Sequence, residues 1–226
     1  MRLTERDIRL LKDIALSQVL SRDQIIRLGY FCSVSRCNRR LTQLADAGLL
    51  RFLETPFFSQ RLFSVHERAK SFLDDARIAQ ILTNRRASPM FLRHSLSVTE
   101  SRIALVAKGA ERWRFEVQVH HRFSHRGRSW EVRPDGMVWL SGSPLLIEVD
   151  LGHVALPKLA QKLRAYREYA LCGAFERAYS AGNGRILVLT TGDRRKAHIS
   201  RLAGDEGLFQ VQTFRAEGIP LVGGWS

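Results

Sequence analysis

The chain has 226 residues, of which 45% are hydrophobic, enough for one large domain or two small ones with separate cores. No apolar run in the sequence approaches the roughly 18 residues that a membrane-spanning helix needs, and the charged N-terminus lacks the apolar segment of a signal peptide. We therefore expect a soluble, cytoplasmic protein with no membrane partner. The three cysteines match no zinc-binding spacing, which favours free thiols.

The formal net charge of +14 is the most informative bulk property, because a charge of this size favours binding to a polyanion. Residues 1–90 hold 16 basic and 9 acidic side chains, and residues 91–226 hold 20 and 13. The positive excess is thus shared by both halves rather than confined to a tail. It predicts nucleic acid as the partner, with a basic surface kept only for solubility as the alternative.

Three short helices followed by a hairpin are predicted in the first 65 residues. The helical segments are "LTERDIRLLKDIALS" with Thr4 as N-cap and inward Ile8, "LSRDQIIRLGY" with Ser21 as N-cap, and "CSVSRCNRRLTQLADAGLL" ending at Gly48. The segments "LLRFLE" and "RLFSV" are predicted to pair as strands. This order is the plan of a winged helix-turn-helix domain, whose third helix enters the major groove.

The third predicted helix has an apolar stripe and a separate polar face. Cys37, Leu41 and Leu44 form the stripe. The polar face is predicted to read base edges, because Arg and Gln side chains can make bidentate contacts to guanine and adenine, and it consists of Arg36, Arg39, Arg40 and Gln43. Arg51 and Arg61 flank the hairpin and are predicted to contact phosphates. A merely solvated charged face, or a module that binds protein, is the alternative.

The segment "TNRRASPM" has the polar, proline-containing composition of a domain boundary. We therefore predict a winged-helix domain over residues 1–82, a linker over 83–90 and a second domain over 91–226. The second domain is predicted to have the order α-β-β-β-α-β-α-β, with one long strand in "WRFEVQVHHRF" and further strands in "MVWL", "LLIEVD", "RILVLTT" and "LFQVQTF". The fold class is thus α+β, with a mixed sheet and flanking helices in the second domain.

The segment "RPDGMVWLSGSPLLIEVDLG" gathers Asp135, Glu148 and Asp150 in a chain that is otherwise strongly basic. Alternate residues of a strand share a face, so Glu148 and Asp150 point the same way, and a hairpin brings Asp135 beside them. Grouped carboxylates repel one another unless a cation lies among them, and oxygen ligands suit Mg²⁺ or Mn²⁺. We therefore predict Asp135 and Glu148 as metal ligands. The alternative is that the carboxylates pair with nearby arginines, here Arg133, Arg164 or Arg167.

This arrangement resembles the PD-(D/E)XK nuclease superfamily, with "RPDG" as the Pro-Asp motif and "IEVD" as the following acidic strand. The resemblance implies catalytic roles for Asp135, Glu148 and Asp150, and for Glu100 in the preceding helix. The chain departs from the pattern at Asp150, where the superfamily usually has lysine. Some members carry the lysine on the next helix, where Lys158 and Lys162 lie one turn apart, and we predict that Lys162, which is further along the helix, serves there.

A winged helix followed by "VRPDG", "LLIEVDLG" and "KLAQKLRAYREY" resembles the replication-relaxation family of plasmids and integrated mobile elements, from about Thr4 to about Phe214. The resemblance implies double-stranded DNA as partner and a nuclease-like second domain. Three functions follow: a DNA-binding protein for replication, transfer or regulation of the element, a Mg²⁺-dependent endonuclease or nickase, and a docking module for a relaxase or replication initiator. A homodimer would match the half-sites that many helix-turn-helix proteins read.

Overall fold

A computed structural model describes residues 2–56, 58–73, 88–180, 184–204 and 207–222. The chain divides into two compact units, residues 1–103 with 222–226, and residues 104–221. The division falls within a helix, Pro89–Ala107, downstream of the linker predicted at 83–90, of which residues 83–87 lie outside the described part. The predicted combination of an N-terminal helical region and a mixed sheet is confirmed.

The first unit contains the three helices and the hairpin that the sequence predicts. Its elements are α1 Glu5–Ser17, β1 Leu20–Ser21, α2 Arg22–Arg27, α3 Val34–Asp46, β2 Leu50–Leu53, β3 Leu62–Val65, a 3₁₀ helix Glu67–Phe72, and most of α4 Pro89–Ala107. The three strands form an antiparallel sheet in the order β1-β3-β2.

Side-chain caps explain where the first helices begin. Thr4 and Asp7 form a reciprocal capping box at the start of α1, and Ser21 and Gln24 form another at the start of α2. The third helix begins after Ser33, whose hydroxyl accepts a hydrogen bond from a backbone N–H of the first turn. These local interactions fix the helix starts independently of the packing.

The core of the first unit contains the apolar stripe of α3, since Cys37, Leu41 and Leu44 are all buried. The stripe expected on α1, which is Ile8, Leu11, Ile14 and Ala15, is buried except at its first residue. Ile8 is 39% exposed, and Leu10 is fully buried in addition to the predicted residues. Leu10 shares a helix face with buried Asp7 and Ile14, whereas Ile8 lies at the margin of that face.

The second unit is built on one five-stranded sheet. Its elements are β4 Glu111–Phe115, α5 Glu116–Val119, β5 His121–His125, β6 Arg128–Val132, β7 Gly136–Leu140, β8 Ser143–Asp150, α6 Leu156–Leu171, α7 Ala174–Tyr179, β9 Arg185–Thr190, α8 Asp193–Ala203 and β10 Phe209–Thr213. The sheet order is β10-β9-β8-β7-β4, with the first two pairs parallel and the other two antiparallel. β5 and β6 form a separate two-stranded hairpin.

The single long strand predicted over "WRFEVQVHHRF" is wrong, because the segment splits into β4, the short helix α5 and β5. The backbone N–H of Phe115 donates to Gln118 Oε1 at 2.9 Å, which closes a helical turn and buries Val119. Alternation of apolar residues over so few positions suits a helical turn as well as a strand. Strand β6 and helix α7 were not predicted either.

β8 is the central strand and is buried from its second residue onward. Its neighbour β7 joins it through a two-residue loop, in which Ser141 and Gly142 have φ values of 52° and 78°, as a tight hairpin turn requires. Side chains of α6 and α8 pack with those of the sheet in one core, which includes Leu146 of β8 and Tyr166 of α6. None of the helices in the described part of the chain combines the length and the apolar character needed to cross a bilayer.

Candidate functional site

The outer face of α3 carries two exposed arginines, Arg36 and Arg39, and exposed Gln43. The fourth residue predicted on this face, Arg40, is differently placed. Its Nε and Nη2 donate to the two carboxylate oxygens of Asp7 at 2.9 and 2.5 Å, and its Nη1 donates to Gln43 Oε1 at 3.0 Å. Arg40 therefore holds α3 against α1, while Arg36 and Arg39 face solvent.

Asp7 is fully buried beneath this arginine. Burial alone would raise the pKa of its carboxyl, but the hydrogen bonds from Arg40 and Thr4 outweigh it and lower the pKa from 3.8 to about 2. Asp7 therefore remains ionised at physiological pH. The Asp7–Arg40 pair is a fixed structural contact, which the charge pattern of α3 did not reveal because its acidic partner lies 33 residues away.

The hairpin β2–β3 lies beside α3 in the same unit. Arg51 is exposed on β2, and the guanidinium of Arg61 lies 5.6 Å from the ring centre of Phe52. A groove between α3 and the hairpin is lined mainly by polar side chains, among them Arg22, Asn38, Thr42, Gln60 and Arg61. Of the residues predicted to bind DNA, Arg61 lines this groove, and those exposed on α3 and β2 lie outside its lining.

Glu100 lies in the first unit, where its carboxylate is engaged. Its Oε1 accepts a hydrogen bond from Gln24 Nε2 at 3.0 Å, and its Oε2 accepts one from Arg27 Nη1 at 2.7 Å. These contacts tie α4 to α2. The nuclease-like role implied for Glu100 by resemblance finds no support in these contacts, because both oxygens are used to hold helices together.

Asp135 and Glu148 lie on neighbouring chain segments in the second unit. The backbone N–H of Asp135 donates to Ile147 O at 2.9 Å, and its Oδ2 accepts the backbone N–H of Val149 at 2.7 Å. Asp135 thus supplies a hydrogen-bond acceptor to β8 from the position just before β7 begins. The negative charge of Asp135 also helps to raise the pKa of Glu148, which shows that the two carboxylates lie within electrostatic range.

Glu148 is only 6% exposed and is held by two side chains of α6. Lys162 Nζ donates to Glu148 Oε2, and the hydroxyl of Tyr166 donates to Oε1. The sequence predicted Lys162, and the structure places it against this carboxylate. Tyr166 was not predicted to contact Glu148, although its position four residues after Lys162 puts both on one face of the helix.

Asp150 points to the same side of the sheet as Glu148 but has different partners. Arg195 of α8 donates from Nε and Nη2 to the two oxygens of Asp150 at 2.8 and 3.0 Å, and Thr190 donates from Oγ1 at 3.0 Å. Arg195 also donates to Val154 O at 2.6 Å. Asp150, which stands where the superfamily usually has lysine, therefore forms a bidentate ion pair.

The three carboxylates do not fit a divalent metal ion in this arrangement. Both oxygens of Glu148 and both oxygens of Asp150 accept hydrogen bonds from protein groups. Lys162 supplies the positive charge near Asp135 and Glu148. Within the ranges that the structure describes, no group of three or more His, Cys, Asp or Glu side chains could hold a metal ion.

The arginines considered as alternative partners of the carboxylates lie elsewhere. Arg133 pairs with Glu116, Arg164 lies over the ring of Trp130, and Arg167 donates to the backbone oxygens of Leu202 and Ala203. Glu148 is therefore neutralised by a lysine instead, and the pairing could be expected only from the position of Lys162 on the following helix.

Burial raises the pKa of Glu148 from 4.5 to about 7, against the opposing effect of Lys162. The folded state then binds the proton more tightly than the unfolded state, so this contribution to stability is complete below pH 4.5 and is lost as the pH rises through about 7. Glutamine does not titrate, so we expect Glu148→Gln to show no such decrease. In the parent the decrease amounts to about 3 kcal/mol of unfolding free energy. Urea unfolding of parent and variant at about pH 5 and about pH 8 measures it. A stability difference between the two proteins that does not change with pH would contradict the assignment.

No match was found among curated proteins. The crystal structure of protein VC1899 from Vibrio cholerae is similar at 10% sequence identity and a TM-score of 0.32, over 99% of this chain and 54% of that one. The chain therefore spans about half the length of that protein. Residues 11–184 match the replication-relaxation family, and the chain belongs to this family.

Proposed function

We propose that the protein binds duplex DNA through its first unit and acts in the replication, transfer or regulation of a plasmid or other mobile element. Membership of the replication-relaxation family supports a role in replication. The net charge of +14 supports a polyanionic partner. The observation that carries the proposal is the pair of exposed arginines, Arg36 and Arg39, on the outer face of α3.

The connectivity of the first unit supports the same proposal. The order α1-β1-α2-α3-β2-β3, with a sheet in the order β1-β3-β2, matches a winged helix-turn-helix. In this plan α3 is the recognition helix and the β2–β3 hairpin is the wing. The first turn of α3 is accessible, since Val34 is 48% exposed and Arg36 is exposed beside it. Base edges are read by the N-terminal part of such a helix, which is where Arg36 and Arg39 lie.

Arg40 has a positioning role in this proposal rather than a reading role. Its guanidinium is committed to Asp7, and its side chain is only 17% exposed. It fixes the rotation of α3 against α1 and so determines which side chains face outward. Arg51 on β2 and Arg61 at the wing are proposed to contact phosphates, since both carry fixed positive charge beside α3.

Replacing Arg36 and Arg39 together with alanine is expected to weaken DNA binding by roughly thirtyfold or more, because each is expected to contribute about 1–3 kcal/mol if it contacts a base. If they bind phosphates instead, the dependence of log K on log salt should flatten by about 0.9 for each phosphate that the variant no longer neutralises. Fluorescence anisotropy of a labelled duplex over a salt series measures both quantities.

The matched control replaces Arg9 and Lys12, two exposed cations on α1, with alanine. This variant has the same formal charge as the α3 variant, so it separates direct DNA binding from the effect of net charge. An equal loss of affinity in both variants, or an unchanged affinity in Arg36→Ala/Arg39→Ala, would refute α3 as the reading element.

The two alternative functions find less support in the geometry. Endonuclease activity would need carboxylate oxygens available to Mg²⁺ or Mn²⁺, and those of Glu148 and Asp150 are taken by Lys162, Tyr166, Arg195 and Thr190. Docking to a relaxase or replication initiator would be favoured over DNA binding if the purified parent protein retained no duplex in the same assay.

A further inference from the structure

A second basic surface lies in the second unit, on the hairpin formed by β5 and β6. This hairpin, residues 121–132, is hydrogen-bonded as a sheet of its own, apart from the five-stranded sheet. It exposes three arginines, Arg122, Arg126 and Arg128. Its single acidic residue is Glu131, which lies 2.5 Å from His120 Nε2 and 3.8 Å from Arg122 Nε. The hairpin therefore presents an excess of positive charge.

The tip of the hairpin places an arginine in an unusual conformation. Arg126 and Gly127 form the two-residue loop and have φ values of 50° and 70°. Turns of this kind favour Asn-Gly or Gly-Gly, because a side chain with a β-carbon is strained at positive φ. An arginine at the first position costs on the order of 1 kcal/mol relative to those residues. The turn places Arg126, which is exposed, at the tip of the hairpin.

The hairpin is anchored on helix α6 from its middle to the residue that precedes the turn. His125 Nδ1 lies 2.7 Å from Glu168 Oε2, and the ring centres of Phe123 and Tyr169 lie 5.2 Å apart. The guanidinium of Arg164 lies 5.6 Å from the ring centre of Trp130. The apolar side chains of the hairpin thus pack against α6, Arg122 lies on the opposite face, and Arg126 and Arg128 are exposed at the turn. Such anchoring lowers the entropy cost of binding through these exposed arginines.

The edge strand β4 carries two further exposed arginines. The guanidinium groups of Arg112 and Arg114 lie 4.8 and 4.9 Å from the ring centre of Trp139, so both are held by cation–π contacts. Arg114 is also close enough to His121, at the start of β5, to help lower the pKa of that imidazole, although burial is the larger cause. Residues 111–133 contain six arginines, three glutamates and no lysine.

We propose that this basic hairpin, together with Arg112 and Arg114, is a second surface that binds the phosphate backbone of duplex DNA. The proposal rests on the proposed function, because it assumes that the protein binds DNA. Guanidinium groups match phosphate oxygens in bidentate geometry, which suits a surface that has arginine throughout. A protein partner would call for exposed apolar or aromatic residues at the centre of the surface, and here Phe123 and Trp130 pack inward against the core.

The test is a triple variant, Arg122→Gln, Arg126→Asn and Arg128→Gln, in the full chain. Asparagine tolerates positive φ and forms the favoured Asn-Gly turn, so the charge is removed while the hairpin is retained. Duplex affinity is expected to fall about tenfold or more, and the slope of log K against log salt should flatten by between about 2 and 3. Retained tryptophan fluorescence shows that the second unit is still folded, since Trp130 lies in the hairpin.

The matched control is Arg194→Gln, Arg201→Gln and Arg215→Gln, which removes three other exposed arginines of the same unit. Equal losses of affinity in the two triple variants would show an effect of net charge and would overturn the proposal. It would also be overturned if the hairpin variant bound like the parent while Arg36→Ala/Arg39→Ala remained weak, and the proposed function would then stand. If the parent itself bound no duplex, the proposed function would fail first.

Discussion

Lys162→Met is expected to destabilise the second unit by about 3–5 kcal/mol at about pH 8, because it leaves the buried carboxylate of Glu148 without its cation. Lys162 opposes the rise of the Glu148 pKa, so its loss raises that pKa further, and the carboxyl must take up a proton at about pH 8 to stay buried beside Asp135. A loss of this size is a large fraction of the stability of an ordinary domain. The second unit contains three of the four tryptophans, Trp113, Trp130 and Trp139. Urea unfolding followed by tryptophan fluorescence therefore measures this loss of stability.

The control for this prediction is Lys158→Met, which removes an exposed lysine one turn earlier on the same helix and should change stability by less than about 0.5 kcal/mol. The effect of Lys162→Met should also be smaller at about pH 5 than at about pH 8, because Glu148 can then take a proton and become neutral. Equal stability of the two variants at about pH 8 would show that Lys162 does not neutralise Glu148.

Asp7→Ala is expected to destabilise the first unit by a comparable amount, about 3–5 kcal/mol, because it removes one partner of a buried ion pair. The same substitution abolishes the capping box of α1. Since the Asp7 pKa is lowered to about 2, the contribution of this carboxylate is complete above pH 3.8 and disappears as the pH falls through about 2. Urea unfolding followed by far-ultraviolet circular dichroism, which reports on the helices, measures the loss of stability.

Glu5→Ala is the matched control for Asp7→Ala, because Glu5 is an exposed acidic residue in the same first turn of α1. It keeps the capping box and should change stability by less than about 0.5 kcal/mol. Arg40→Ala should destabilise the unit as Asp7→Ala does, since either change leaves one charge unpaired. If Arg40→Ala left stability unchanged and only weakened DNA binding, the positioning role of Arg40 would be wrong and the residue would contact DNA directly.

Local sequence signals predicted much of the fold. The helix caps Thr4 and Ser21 and the apolar stripe of α3 depend on contacts within a few residues of each other. These elements therefore appear in the structure close to where the sequence placed them. The strand predicted around Phe115 was wrong because a short alternating pattern also fits a helical turn.

The candidate site was predictable only in part, because its decisive contacts join residues far apart in the sequence. The Asp150–Arg195 pair spans 45 residues, and the Asp7–Arg40 pair spans 33. No periodicity or motif specifies such pairs, so a free carboxylate and an ion-paired one look the same in the sequence. Lys162 was predictable because the helix that follows β8 had to bring its side chains back over the strand, close to Glu148.

The hydrogen bond from the Val149 backbone to Asp135 Oδ2 has a consequence for mutagenesis of the acidic motif. Asp135→Ala would remove an acceptor from the end of the central strand and fray it, so a resulting loss of function would imitate the loss of a catalytic group. Asp135→Asn removes the charge but keeps a carbonyl oxygen for the Val149 amide. Asp135→Asn therefore tests the role of the negative charge while the hydrogen bond that supports the strand is kept.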